Sequence, residues 1–246
     1  MSVLTRIANR LAGTIAVKPH ALRNRQSVIT FTLDDVPRSG VTLAGGMLAR
    51  SGCAGTFYVA GGLTDGHENG TQCHSMDDLR DAARDGHELA SHGWGHIAYA
   101  SASTTEAAAD VARNDRFFAE QLAIEPSTHF SYPFGSRTVA AKAMVGRRFA
   151  TGRGVRPGVN HRVVDLADLR ANALYASSMS EAKVASLVAD TAARAGWLIF
   201  YTHDVDDSPT PYGVTPGLFA FALRTALASG CRVLPMRNAL GAVSYR

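Results

Sequence analysis

Cysteine is scarce in this chain, with three among 246 residues. Cys53, Cys73 and Cys231 are an odd number without metal-ligand spacing. That excludes a disulfide framework and a cysteine zinc site, and points to free thiols in a reducing compartment. Long apolar runs are missing as well, and no stretch is long enough to span a bilayer. The N-terminus lacks the apolar core and cleavage site of a signal peptide, so the expected location is the cytoplasm. Acidic residues are absent from the first 25 positions, where Arg6, Arg10, Lys18, Arg23 and Arg25 stand without a counter-charge. Leu4, Ile7 and Leu11 fall at helical spacing there. Two readings of this segment stay open: a solvated basic helix and tail, or a weak attachment to an anionic membrane face. No basic run interleaves with stacking aromatics, which argues against a nucleic-acid partner.

What is present is an apolar fraction of 46% and a net charge of only +4, the composition of a globular protein. Residues 1–26 read as a basic N-terminal segment and 27–246 as a single domain. Strand and helix signals alternate through that domain without a linker or an internal repeat. The spacing predicts helices at 41–49, from a Ser75 cap to Gly86, from a Ser103 cap to Pro126, through Val139–Val145, from Ser180 to Gly196, and from Thr215-Pro216 to Gly230. Between them fall strand candidates at 27–33, 55–59, 87–91, 128–132, 149–152, 169–174, 197–202 and 231–234. Such alternation is the pattern of a parallel α/β fold, and the number of units suits a (β/α) barrel.

The chemistry centres on Asp34 and Asp35, side by side after the buried-looking run Ser27-Val-Ile-Thr-Phe-Thr-Leu33. Two carboxylates at the end of a hydrophobic strand are costly unless their charge is used. Adjacent strand residues point to opposite sides, so one can bind a metal while its neighbour accepts a proton. His92-Gly-Trp-Gly-His96 follows a later short strand. Two imidazoles four apart reach one metal if the segment makes a helical turn. Asp, His and His make three ligands and leave a fourth position for water, as in a hydrolytic zinc site. His67, His74, His87, His129 and His161 have no such setting and read as surface or structural.

Taken in order, Thr32-Leu-Asp-Asp35, His92-Gly-Trp-Gly-His96, Tyr132-Pro-Phe-Gly135 and the apolar strand ending in His203 resemble the NodB-like polysaccharide deacetylases, a carbohydrate esterase family. The resemblance runs from about residue 27 to 240. It implies a distorted (β/α) barrel of about seven to eight parallel strands. It also implies a divalent metal, zinc first with cobalt, nickel or manganese as alternatives, and an acylated sugar as substrate. By position, Asp34 corresponds to the catalytic base, Asp35 with His92 and His96 to the metal ligands, and His203 to the general acid. Phe134 stands where a backbone N–H helps to bind the oxyanion. Trp94, Tyr132 and Pro133 are candidate substrate contacts.

Two departures from the family pattern stand out. Ser131 occupies the place where the third motif often carries an arginine that orients the base, and Arg153 is a candidate replacement. The Asp-Trp pair that tunes the acidic histidine is not visible, and Asp165 or Asp168 is a candidate for that task. The same fold leaves open a deformylase, a ureide amidohydrolase or a non-catalytic sugar binder. The loops Gly61–Gly70 and Asp204–Gly213 are expected either to close over the barrel mouth or to remain mobile surface. Closure favours a small or lipid-linked acylated sugar over a long polymer.

Overall fold

The computed structural model describes residues 3–23, 26–68 and 70–244, with the side chains of the first helix from Asn9 onward. Arg25 and the side chains of Leu4, Arg6 and Ile7 therefore lie outside the described residues. Helix α1 (Val3–Thr14) leads into the short strand β1 (Pro19–Ala21) and then into β2 (Val28–Asp34), buried at every position. The predicted 41–49 helix is a π-type turn, Gly40–Ala44, that runs into α2 (Gly45–Arg50). After β3 (Thr56–Val59), the expected loop holds a 3-10 turn and a small hairpin of β4 (His67–Glu68) and β5 (Thr71–Gln72).

Two capping boxes lie where the sequence places them. Ser75 with Asp78 opens α3 (Met76–Arg84), and beyond β6 (Glu88–Ser91), Ser103 with Glu106 opens α4 (Thr104–Glu120). Next come β7 (His129–Ser131), α5 (Val139–Arg148), β8 (Thr151–Arg153), β9 (Val163–Asp165) and β10 (Asn172–Ala173). Helix α6 (Glu181–Arg194) ends on Ala195 in the left-handed region, one residue before the expected Gly196. The chain closes with β11 (Trp197–Thr202), α7 (Pro216–Ala228) with proline at its first turn, β12 (Arg232–Val233) and a further helix, α8 (Met236–Ser244).

The strands form a parallel sheet in the order β10-β11-β2-β3-β6-β7-β8, with β12 paired to the first two residues of β2. A bridge from Arg153 to Leu169, just before β10, links the two edges of this sheet. The result is a distorted (β/α) barrel. Side chains alternate along β2 with period two. Ile29, Phe31 and Leu33 point outward and pack under α6 and α7 with Val188, Phe219 and Leu223. Val28 points inward to a second cluster with Tyr58, Trp197 and Ile199. Helix α8 plugs the barrel floor through Met236, Ala239 and Val243, and its first N–H groups donate to Thr56 Oγ1 and Glu88 Oε2. The inward row of β2 ends in Asp34, so polarity rises toward the C-terminal ends of the strands.

The boundary at residue 27 does not separate two bodies. β1 pairs antiparallel with β9, and α1 lies on α5. Lys142 of α5, buried, donates to the carbonyls of Ala12 and Ile15 at 2.6 and 2.7 Å and pairs with Asp165 at 2.7 Å. Asp165 also accepts from the N–H groups of Val17 and Lys18. The basic segment is thus docked on the barrel, with Leu11 and Ile15 left exposed.

Candidate active site and metal centre

β2 stops being a strand at Asp34. Asp35 and Val36 both adopt the left-handed region, with φ of 57° and 54°. For a β-branched residue this conformation is strained. His74, buried, holds the turn by directing both its backbone N–H and its ring Nδ1 at the Val36 carbonyl, at 3.1 and 3.0 Å. The turn, rather than simple strand alternation, sends the two carboxylates to different partners.

Asp34 points into the barrel, where Nη2 of Arg153 bonds both of its oxygens. Arg153 is fully buried, with its guanidinium over the rings of Tyr201 and Tyr58 at 4.9 and 5.3 Å. Burial alone would depress its pKa, but the Asp34 charge holds it above the ordinary arginine value. Arg153 and Ser131 are direct register neighbours on β8 and β7. The cation missing at Ser131 therefore arrives from the next strand at the same height.

Asp35 turns the other way. Its Oδ1 lies 3.2 Å from His92 Nε2 and 2.9 Å from His96 Nε2. His92 Nδ1 faces the Ser131 carbonyl at 2.8 Å, and His96 Nδ1 faces Glu68 Oε1 at 3.2 Å. An acceptor at Nδ1 puts the proton there and leaves the Nε2 lone pair bare. Three lone-pair donors then converge within 4.8 Å of one another, and the buried Asp35 Oδ1 has no hydrogen-bond donor among the described residues. A divalent cation satisfies this arrangement. Without one, only extra protons on the imidazoles relieve it. Burial would raise Asp35, yet protonated His92 and His96 would hold it well below the usual carboxylate range. Burial would lower His96, and Asp35 with Glu68 lift it instead.

The 92–96 segment is a loop and not the helical turn that the His spacing suggests. Gly93 has φ 72°, and a Cβ there would collide with the Asp110 carboxylate and the Tyr99 hydroxyl. Asp110, on α4, fastens the loop by accepting from Trp94 N at 3.0 Å, Gly95 N at 2.7 Å and Tyr99 OH at 2.8 Å. Glycine is thus required by geometry at the position between ligand and loop. Asp110 and Glu68 were not candidates from sequence, since nothing in a helix face or a polar loop marks them as partners of the histidines.

His203 follows β11 and lies opposite. Its Nδ1 faces the Tyr212 carbonyl at 3.2 Å, which directs Nε2 toward Asp35 Oδ2, 3.7 Å away. Neither expected acidic partner reaches it. Asp168 is bound by Arg137 Nη2 and Nε at 2.8 Å each, and Asp165 serves Lys142. A backbone carbonyl thus stands where a carboxylate was expected. The 204–213 loop is folded on itself, with Asp204 accepting from Thr210 N at 2.9 Å and Val214 N bonding the Asp204 carbonyl at 3.0 Å.

A cavity of about 350 Å³ gathers Asp34, Asp35, His92, His96 and His203 on its floor. Its walls are Phe134, Val155 and the rings of Tyr175, Tyr201 and Tyr212. Phe134 sits at φ 58° with its ring 4.3 Å from that of His96. The tyrosines come from three separate loops and strand ends, which no local motif reveals. The three expected substrate contacts lie elsewhere. Tyr132 is core, its hydroxyl bonded to the Ala167 carbonyl, and Pro133 is buried beside it. Trp94 turns away from the cavity, against Phe117 and under Arg113.

The sequence pattern of the family described as polysaccharide deacetylase matches residues 21–147. Solved structures share the fold at low identity. A polysaccharide-deacetylase-like protein of Mycobacterium smegmatis is 18% identical, with a TM-score of 0.66 over 93% of this chain and 94% of its own. The chitin deacetylase of Colletotrichum lindemuthianum is 17% identical, with a TM-score of 0.64 over 89% and 90%. The Bc1960 peptidoglycan N-acetylglucosamine deacetylase is 12% identical, with a TM-score of 0.63 over 92% and 94%. No curated protein matches the chain.

Proposed function

The chain belongs to the polysaccharide deacetylase family of hydrolases, and we propose that it removes an acetyl group from an amino sugar or short oligosaccharide, with Asp34 as base and His203 as acid. The observation that carries this reading is the division of labour between adjacent carboxylates. Asp35 joins two bare imidazole nitrogens, while Asp34 is held apart by a buried arginine.

Asp35, His92 and His96 would hold the cation, zinc by their hard and borderline donors. Bound there, it would polarise the amide carbonyl and acidify a water molecule. Asp34 takes the proton as the water oxygen bonds to the acyl carbon. The Phe134 N–H donates to the oxygen that becomes negative, a contact of the kind worth about 3 kcal/mol. His203 Nε2 passes a proton to the sugar nitrogen as the C–N bond breaks, giving acetate and a free amine. The Tyr212 carbonyl fixes the ring for that transfer, and Tyr175, Tyr201 and Val155 shape an apolar wall against the methyl group. A sugar binder without turnover has no use for Asp34, paired with buried Arg153, and His203 in one cavity.

Cytoplasmic action remains part of this reading, supported by three free cysteines among the described residues. The exposed Leu11 and Ile15 beside Arg10 support weak contact with a membrane surface. The test is acetate release from N-acetyl chito-oligosaccharides by protein loaded with zinc, cobalt, nickel or manganese in turn. Release that requires the metal and stops in His203→Gln supports the reading. Release of formate from N-formyl sugars alone would move it to the deformylase alternative.

A further inference from the structure

Beside the active-site cavity lies a larger one of about 550 Å³, between the end of α1 and the 156–165 segment. A shallow pocket joins the two, sharing Phe134, Gly135 and Val155 with the first and Gly13, Thr14 and Arg156 with the second. Its charge is one-sided. Arg10, Arg137, Lys142, Arg156, Arg162 and Arg170 line the pocket and the larger cavity, against Asp165 and Asp168 alone.

Both carboxylates already face buried cations, although Asp168 Oδ1 keeps no hydrogen bond among the described residues. Arg137 takes Asp168 through two contacts of 2.8 Å, and Lys142 takes Asp165 at 2.7 Å. Arg156 is left 3.6 Å from an Asp168 oxygen that Arg137 already holds. Its buried Nε has no hydrogen-bond acceptor among the described residues. Burial depresses the Arg156 pKa, Asp168 opposes that, and the nearby cations Arg170 and Arg137 add to the depression. Arg10 and Arg162 are exposed and make no ion pair among the described residues. A concave wall with cations in excess and an unsatisfied guanidinium nitrogen is short of an anion.

We infer that this groove is a subsite for an anionic group, a carboxylate or phosphate, carried by the acylated sugar itself, with Arg156 and Arg10 as its contacts. The inference rests on the reading of the neighbouring cavity as a deacetylase site. Position favours a group on the substrate over a lipid surface. Arg156 is three residues beyond Arg153, the partner of Asp34, and three extended residues span at most about 11 Å. The guanidinium therefore lies within a short oligosaccharide's reach of the reacting amide. Arg156, whose Nε is buried, lines the pocket that shares Phe134, Gly135 and Val155 with the active-site cavity, whereas a flat bilayer meets protruding side chains.

The test compares chito-oligosaccharides carrying one terminal phosphate or carboxylate with neutral ones of equal length, binding to the metal-loaded Asp34→Asn protein. Calorimetry should show the charged probe at least about tenfold tighter, the scale of one charge-assisted contact. The preference should shrink with added salt and in Arg156→Gln. Arg10→Gln, at an exposed position, is the second variant should Arg156→Gln disturb the fold. Equal affinity for charged and neutral probes overturns the inference, as does a preference that survives both variants. Arginine-dependent binding to phosphatidylglycerol vesicles without any preference among the sugars also overturns it. Failure of the two readings is separable. Selective binding with no acyl release from any probe by the wild type refutes the deacetylase and leaves the subsite. Release from charged and neutral probes at equal kcat/KM does the reverse.

Discussion

Replacing Arg153 with glutamine removes the charge that accompanies Asp34 into the barrel. The arginine is fully buried and the Asp34 side chain only 6% exposed, so water cannot take its place. Stranding one member of such a pair costs about 3–5 kcal/mol. In a chain of this size each kcal/mol moves Tm by about 2–4 °C. Arg153→Gln should therefore melt roughly 6–20 °C below the wild type by scanning calorimetry. Adding Asp34→Asn removes the stranded charge, so the double variant should be more stable than Arg153→Gln alone. Arg153→Ser with Ser131→Arg should recover part of the loss, because the two positions are register neighbours facing one carboxylate. Asp34 would then be reached from β7 instead of β8. An Arg153→Gln protein that melts within about 2 °C of wild type and keeps its turnover would refute the reasoning, since a buried unpaired carboxylate cannot be so cheap.

Gly93→Ala should lower metal affinity at least about tenfold through strain alone, since φ 72° and the Asp110 carboxylate both oppose a Cβ; metal titration followed by mass analysis checks it. His203→Gln should bind the cation as wild type does but lose about 100-fold or more in kcat, the usual scale for a lost general acid. Stability should fall as pH drops from 6.5 toward 4 because of His129, whose burial, with Arg237 and Lys18 nearby, lowers its pKa from 6.5 to about 4. In that window the unfolded chain binds the proton and the folded one does not, so stability is complete above 6.5 and declines by up to about 3 kcal/mol toward 4. His74 and His87, also lowered by burial, act in the same direction. Urea melts of His129→Gln should show a shallower loss over that range, and an unchanged slope would remove His129 from the account.

Much of this was legible because it is written locally. The capping boxes at Ser75 and Ser103, the proline-first helix at Thr215 and the apolar runs of β2 and β11 are short-range signals. They specify which residues end at the barrel mouth, and so the order Asp34, Asp35, His92, His96 and His203. Long-range partners are written less directly, and Arg153 was a candidate only as a cation near a neighbouring strand end. Arg153 reaches Asp34 across 119 positions, and only the register of β7 with β8 explains why it replaces an arginine at Ser131. The errors have the same origin. Tyr132, Pro133 and Trp94 share motifs with site residues, but strand alternation and the left-handed Gly93 and Phe134 turn them away from the cavity. Asp165 and Asp168 were drawn off His203 by two buried cations, Lys142 on α5 and Arg137 in the loop before it, and neither position stands out in sequence from an ordinary surface residue.

The central claim is that adjacent carboxylates divide metal binding from proton transfer. The most direct measurement is metal content and acetate release on the same preparations of Asp34→Asn and Asp35→Asn. Asp34→Asn should retain one equivalent of cation and lose turnover, while Asp35→Asn should lose both together. If Asp34→Asn strips the metal while Asp35→Asn retains it, the roles of the two residues are reversed and the account is contradicted.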